Sequence, residues 1–338
     1  MTFMLAVLIA VPLTQALRRL ALRLGVVAQP RHDRVHERPT PYLGGVAVAT
    51  AATAAATVGW LLADSRQPTF VVLILAAGGL VLLGLLDDLN GLGPWLRVAT
   101  ELALATALVV AGARLNMTGV AAVDGLLSVL AIVVLTNSYN LLDNSDGALA
   151  AVAIPTGLAV VAIAIHWQVG SQALLAAGVA GALAGFLLFN WPPAKIFLGD
   201  AGSLFIGLAL VASLAAVDGA SSEPNVNAAM VMALFVVPAI DTCLVVITRV
   251  REGRSVLSGG KDHLHHRIGR TALGVPGAAL LGALLSASGA LLAFSWAYAD
   301  QPAPWWYAIL AVLYVGPLAW ALHAPSGHEV HPADQAVR

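Results

Sequence analysis

Charge is what this sequence has least of: 17 Lys and Arg with 18 Asp and Glu make only 10% of its 338 residues. With 59% hydrophobic residues and a mean hydropathy of +0.86, so little charge cannot clothe a water-facing surface. Soluble, secreted, fibrous and disordered classes are thereby excluded. A single cysteine, Cys243, excludes an intramolecular disulfide and any cysteine-cluster metal site, and its apolar neighbours mark it as core packing. The net charge of -1 argues against a nucleic-acid partner. No low-complexity tract or internal repeat is present.

What is present is a succession of apolar runs of membrane-spanning length, about 17 to 25 residues. Eleven are legible, at 1–17, 44–63, 69–86, 96–113, 122–142, 147–165, 171–191, 203–217, 226–248, 271–299 and 303–322. The expectation is an all-α polytopic membrane protein. It has one transmembrane catalytic domain over residues 1–322 and a short tail over 323–338. The first run lacks a basic leader and is followed by Arg18, Arg19 and Arg23, so it reads as an uncleaved span. Eleven crossings from an outside N-terminus put 15 of the 17 basic residues inside, leaving only Arg66 and Arg114 outside. The positive-inside rule supports that count, that hand and a cytoplasmic C-terminus.

Ionisable residues are costly inside a bilayer, so where the few acids fall is informative. Asp87 and Asp88 end the third span in GLLDDLNGLGP, where Gly91, Gly93 and Pro94 break the helix. Asn137, Asn140, Asp143, Asn144 and Asp146 end the fifth in NSYNLLDNSDG. Asp200 stands in PAKIFLGDAGS beside Lys195, and His263, His265, His266 and Arg267 stand in GGKDHLHHR. The span count puts all four segments at the inner face. Steps of three and four residues set Asn137, Asn140 and Asn144 on one helix face if the helix persists. In FLGDAGS the glycines bring backbone N–H groups and Asp200 together at a helix start that suits either an anion or a simple cap.

Carboxylates and side-chain amides are hard oxygen donors suited to Mg²⁺ or Mn²⁺. Lys195, Arg249, Arg267 and the histidines add cations and N–H donors for phosphate. Metal with cations at a membrane surface describes phosphoryl transfer. Each segment also has a plainer reading: a solvated helix end for Asp87 and Asp88, a capped turn for Asp200, and a lipid-headgroup anchor or zinc site for the histidines. Glu101 and Asp241, about one turn inside their spans, read either as the polar rim of the site or as helix packing. Trp305 and Trp306 read as an interfacial belt.

In order, RHDRVHERPTPYLGG, DDLNGLGPWLR, NSYNLLDNSDG, NWPPAKIFLGDAGS, VPAIDT and GGKDHLHHR resemble the polyprenyl-phosphate N-acetylhexosamine-1-phosphate transferases, over roughly residues 29 to 270. These are relatives of phospho-N-acetylmuramoyl-pentapeptide transferase. The resemblance implies ten or eleven spans in the cell membrane and a cytoplasmic active site. It also implies transfer of a sugar 1-phosphate from a UDP-N-acetylhexosamine to a polyprenyl phosphate, with Mg²⁺ or Mn²⁺ and release of UMP. By the same resemblance Asp87 and Asp88 handle the lipid phosphate, and Asp200 is the principal metal ligand with Asn140 as a second. Asp143 and Asp146 line the nucleotide-sugar site with Asn137, and His263, His265, His266 and Arg267 meet sugar and diphosphate. The HLHHR loop resembles the sugar-1-phosphate branch, with N-acetylglucosamine as the favoured sugar. Asn144, Arg97 and Glu101 depart from the family pattern, standing where Gly, Lys and Gln are common.

Three other readings are a muramoyl-pentapeptide type enzyme, a non-catalytic glycan-binding scaffold and an ion-coupled transporter, the last needing acids at the bilayer midplane of two related halves. A CDP-alcohol phosphotransferase needs D-x-x-D-G-x-x-A-R, and here Ala151 replaces the Arg. A second copy of the chain remains open as a partner.

Overall fold

The computed structural model of the protein describes residues 1–28, 40–64, 66–221, 226–256, 260–299 and 303–324. Arg31, Arg34 and Arg38, most of the first family-like motif, and the tail from residue 325 lie outside the described residues.

The described chain is helical apart from a two-residue antiparallel pairing of β1 (Val27–Ala28) with β2 (Thr40–Pro41). The helices are α1 Thr2–Leu24, α2 Gly44–Leu61, α3 Pro68–Asn90, α4 Pro94–Val110, α5 Ala121–Leu142 and α6 Ala148–His166. There follow α7 Leu174–Asn190, α8 Asp200–Ala220, α9 Ala228–Leu234, α10 Val236–Arg251, α11 Leu264–Gly269, α12 Gly274–Tyr298 and α13 Pro304–His323. Among the described residues nine helices are long and apolar enough to cross a bilayer, α7 being counted with its 3-10 turn Gly170–Ala173. The protein is therefore an all-α polytopic membrane protein.

Each long helix coincides with an apolar run read from the sequence, but two runs differ in form. The run at 226–248 is not one straight span: α9 and α10 meet at an 87° bend at Phe235. Pro238 explains it, because proline has no N–H to return to the Leu234 carbonyl and its ring crowds that carbonyl. The freed oxygen accepts instead from the Thr156 hydroxyl at 3.2 Å. The first run continues past residue 17 through Arg18, Arg19 and Arg23, so α1 ends at Leu24 with Gly25 in the left-handed region at φ 70°.

The helix α8 is the axis of the bundle, with 94% of its apolar window buried and α2, α3, α5, α6 and α7 around it. Its composition permits this, because without water helices gain from close van der Waals approach, which small residues allow. A Cβ built on Gly45 of α2 would stand within 2.5 Å of the Gly202 Cα of α8, so the two backbones touch there. Likewise a Cβ on Gly84 of α3 would lie 2.5 Å from the Asp200 carbonyl. These two contacts clamp the start of α8 between the end of α3 and the start of α2.

Cys243 is exposed on α10 and does not pack in the core as its apolar sequence context implied. Trp306 is buried, packed on Trp296 with ring centroids 5.7 Å apart, while Trp305 stays exposed. The tryptophan pair is thus half core and half surface.

Candidate active site

The site is assembled from helix ends. Asp87 and Asp88 lie on the last turn of α3, which stops at Gly91 in the left-handed region at φ 66°. The chain re-enters through Pro94 at the start of α4, and this short turn returns Arg97 to the same level. Asn140 lies on the last turn of α5, Asp143 is its C-cap, and Asp200 opens α8.

Arg97 stands at the centre. Its Nη1 donates to the Asp87 carboxylate at 2.9 Å and to Asp200 at 3.3 Å, while Nη2 donates to Asn140 Oδ1 at 2.9 Å. Asn140 Nδ2 in turn donates to Asp200 Oδ1 at 2.9 Å and to Ser203 Oγ at 2.8 Å. Four helices are joined through one guanidinium, whose planar fork offers several donors in fixed directions.

The two acids of the adjacent pair do different work. Asp87 pairs with Arg97 and also accepts the Leu92 N–H at 2.6 Å, closing the turn after α3. Asp88 accepts the backbone N–H groups of Asp200 at 3.1 Å and Ala201 at 3.3 Å. The free N–H groups that start α8 are therefore capped by a carboxylate from α3, which also complements the helix dipole. The anion-or-cap alternative at FLGDAGS is resolved as a cap. Gly199 makes this possible, since at φ 71° and with Asp88 Oδ2 only 2.6 Å from an ideal Cβ it can carry no side chain.

The expected single face of Asn137, Asn140 and Asn144 does not form, because α5 ends at Leu142. Asn140 joins the carboxylates. Asn137 turns to the buried Glu101 of α4 and to the Val133 carbonyl, 2.9 Å away. Asn144 lies beyond the helix, its amide on the Leu141 carbonyl at 2.9 Å and its own carbonyl on His266 Nε2 at 2.9 Å. Asp146 accepts the Ala194 N–H at 2.8 Å, tying the turn after α5 to the loop before α8. Burial pushes the Asp143 carboxyl up to about 8, and the nearby carboxylates of Asp200, Asp88 and Asp146 push the same way. Negative charge is crowded at this point beyond what Arg97 offsets.

Lys195 is exposed in the loop before α8, and its own carbonyl accepts from Arg18 Nε at 3.1 Å. The histidines sit at α11. His263 Nδ1 meets Asp241 Oδ2 at 2.8 Å, and His266 reaches the Asn144 carbonyl. His265 is sealed against α12, with both ring nitrogens unpartnered among the described residues. Burial holds the His265 and His266 rings down at about 4, hence neutral at pH 7. Arg267, expected at the diphosphate, is buried and directs its donors elsewhere. Nη1 donates to the Ala321 and Ala324 carbonyls, Nη2 to Thr248 Oγ1 at 2.9 Å and Nε to the Asp262 carbonyl at 3.2 Å. It thus caps the end of α13 and ties α11 and the end of α10 to it. Arg249 is likewise engaged, its Nε on Asp262 at 2.9 Å. The hydrogen bond and charge of that guanidinium outweigh burial and hold the Asp262 carboxyl down at about 2, and Arg254 Nη2 pairs with the same carboxylate at 3.0 Å.

The oxygen donors of Asp87, Asp143, Asp200 and Asn140 suit a hard divalent cation in kind and in charge. Among the described residues no three Asp, Glu, His or Cys groups already stand in metal-binding array. In Asn140 it is the nitrogen that faces Asp200, so the amide must turn over to serve as a ligand. Reasoning from the sequence noted Arg97 only as a departure and missed it as the hub. The available signal was its position three residues after Pro94, at the level of Asp87.

A polytopic helical membrane protein with carboxylates, an amide and a guanidinium gathered where its helices end belongs among the membrane-embedded enzymes of anionic substrates. Comparison with known proteins sharpens this. Residues 70–218 match the family described as glycosyl transferase family 4. The decaprenyl-phosphate N-acetylglucosaminephosphotransferase of Mycolicibacterium smegmatis is 35% identical over 74% of this chain and 70% of its own length. The protein of that name from Mycobacterium tuberculosis is 33% identical over 75% and 72%. The undecaprenyl-phosphate alpha-N-acetylglucosaminyl 1-phosphate transferase of Escherichia coli is 26% identical over 82% and 79%. The chain belongs to glycosyl transferase family 4, the polyprenyl-phosphate N-acetylhexosamine-1-phosphate transferases.

Proposed function

We propose that the protein transfers N-acetylglucosamine 1-phosphate from UDP-N-acetylglucosamine to a polyprenyl phosphate, as the first membrane step of a cell-wall or surface glycan. The lipid phosphate oxygen attacks the β-phosphorus, the bond to the α-phosphate oxygen breaks, and UMP leaves. The observation that carries the reading is the convergence of Asp87, Asp200 and Asn140 on Arg97. The names of the relatives support the acceptor class and the sugar.

In this reading Arg97 neutralises charge on the transferring phosphoryl oxygens, and Lys195, exposed in the loop before α8, meets the leaving UMP. Asp88 keeps the Asp200 turn in place. Asp87 orients Arg97 and the lipid phosphate, whose second pKa near 6 leaves little for a base to do at pH 7. Asp143 and Asp146 line the nucleotide-sugar side. Mg²⁺ held by Asp200 and a turned Asn140 would supply charge neutralisation for the diphosphate, with Mn²⁺ as a substitute.

Eleven crossings from an outside N-terminus, through α4 and the bent α9–α10 pair, bring every one of these groups to the cytoplasmic face of the cell membrane. The clustering of basic residues on that side supports this. Residues 1–322 then form one catalytic domain. The test is UMP release by purified protein with a polyprenyl phosphate and UDP-N-acetylglucosamine, with Mg²⁺ and with EDTA. Lipid-dependent, metal-dependent release is expected. Release without the lipid, or none from folded protein, refutes the reading.

A further inference from the structure

We propose that Asp241 is a positioning residue for this transfer, acting through His263. It fixes that imidazole with its proton on Nδ1, so that Nε2 is the nitrogen presented to the diphosphate or sugar. The inference rests on the transferase reading above.

The α9–α10 bend makes the arrangement possible. The Leu234 carbonyl freed at the bend is held by Thr156, which also lies within hydrogen-bond distance of Tyr139 and Ser286, each at 3.3 Å. Three helices thereby fix the angle at which α10 departs. Less than two turns on, α10 carries Asp241, which is fully buried. One of its oxygens accepts the Leu264 N–H at 2.7 Å and the other meets His263 Nδ1 at 2.8 Å. A carboxylate has no proton to give at neutral pH, so Nδ1 is the donor and the tautomer follows.

The three histidines then differ in kind. His265 is walled in by α12, where its Nε2 lies 2.5 Å from an ideal Cβ on Gly282, and it fills space. His266 is tied to the Asn144 carbonyl and holds the loop against the turn that carries Asp143. Only His263 is hydrogen-bonded to a carboxylate, and its Nε2 has no protein partner among the described residues. Its ring centroid lies 5.8 Å from that of His266, which is itself bonded to Asn144 in the turn after α5. The ring is buried, 5% exposed, and a ring oriented through one nitrogen with the other left without a protein partner is how a histidine is prepared for a substrate.

The test compares full-length Asp241→Asn, His263→Gln and the double variant in detergent, by UMP release and by ¹⁵N spectra of histidine-labelled protein. Asp241→Asn should lower kcat by about tenfold to a hundredfold with KM for the UDP-sugar changed far less. The double variant should fall no further than His263→Gln, since the two residues act as one unit. In the wild type a protonated Nδ1 that vanishes in His263→Gln should be present beside that of His323, whose Nδ1 donates to the Ala319 carbonyl at 2.7 Å. Wild-type turnover by Asp241→Asn, losses that multiply in the double variant, or a bare Nδ1 on His263 would each overturn the proposal. If Asp241→Asn does not fold, the wild-type and His263→Gln spectra still decide it. If the wild type releases no UMP, the transferase reading fails while the spectra continue to judge the Asp241–His263 pair.

Discussion

Replacing Gly84 by alanine adds one methyl group at the place where α3 and α8 touch, one turn before Asp88. That Cβ would stand 2.5 Å from the Asp200 carbonyl carbon and oxygen and from the Ala201 nitrogen, all backbone atoms that cannot rotate away. Ordinary contacts lie at about 3.5–4.0 Å, so α8 must retreat from α3 by roughly 1 Å. The retreat pulls the Asp200 and Ala201 N–H groups off Asp88 and Asp200 away from Arg97. Overpacking of this kind costs about 1–3 kcal/mol in stability. A displacement of about 1 Å at reacting groups costs on the order of a hundredfold in rate. The control is on the same helix: a Cβ on Gly78 meets nothing within 4 Å, and Gly78→Ala should be neutral. The assay is lipid-dependent UMP release from equal amounts of purified protein, with thermal unfolding measured in parallel. Turnover by Gly84→Ala within about threefold of wild type would refute the claim that backbone contact between α3 and α8 sets the site, since a 1 Å shift predicts far more.

Asp200→Asn keeps the shape of the α8 start but removes the charge facing Arg97, and UMP release should fall by at least about a hundredfold at saturating Mg²⁺; undiminished turnover would remove Asp200 from the reaction. Arg267→Gln leaves the last carbonyls of α13 without their cation, and should lower stability by about 2–4 kcal/mol, each charge-assisted bond contributing about 1.5–3 kcal/mol. If unfolding is unchanged while KM for the UDP-sugar rises, Arg267 meets substrate after all. His265, held neutral with its folded value near 4, binds its proton more readily when unfolded. Its contribution is therefore complete above about pH 6.5 and is lost as pH falls from 6.5 to 4, a change on the order of 3 kcal/mol. Thermal unfolding across that range should record the loss together with the like loss from His266, which burial holds at the same value, and His265→Phe should remove about half of the slope. An equal slope in that variant would place the sensitivity elsewhere.

The positions of the long helices, the membrane class and the gathering of acids at helix ends were determined by the sequence itself. The reason is that insertion into a bilayer is a local, per-residue matter: a run without charge spans, and a charge ends the span. The carboxylates Asp87, Asp88, Asp143 and Asp200 were legible on this ground alone, the first three sitting where an apolar run stops and Asp200 just before one begins.

Partnership is a different matter, because a side chain's role depends on what another helix brings within 3 Å of it. Nothing in DDLNG distinguishes an acid that pairs with Arg97 from one that caps α8, and only the approach of α3 to α8 through Gly84 decides it. The three histidines look alike in HLHHR, yet α10, α12 and the turn after α5 give each a separate neighbour. Arg267 reads as a phosphate ligand until α13 arrives with unsatisfied carbonyls. Charge and hydropathy are properties of a residue, whereas hydrogen-bond satisfaction is a property of the packed helices, and that is where sequence and tertiary structure divide here.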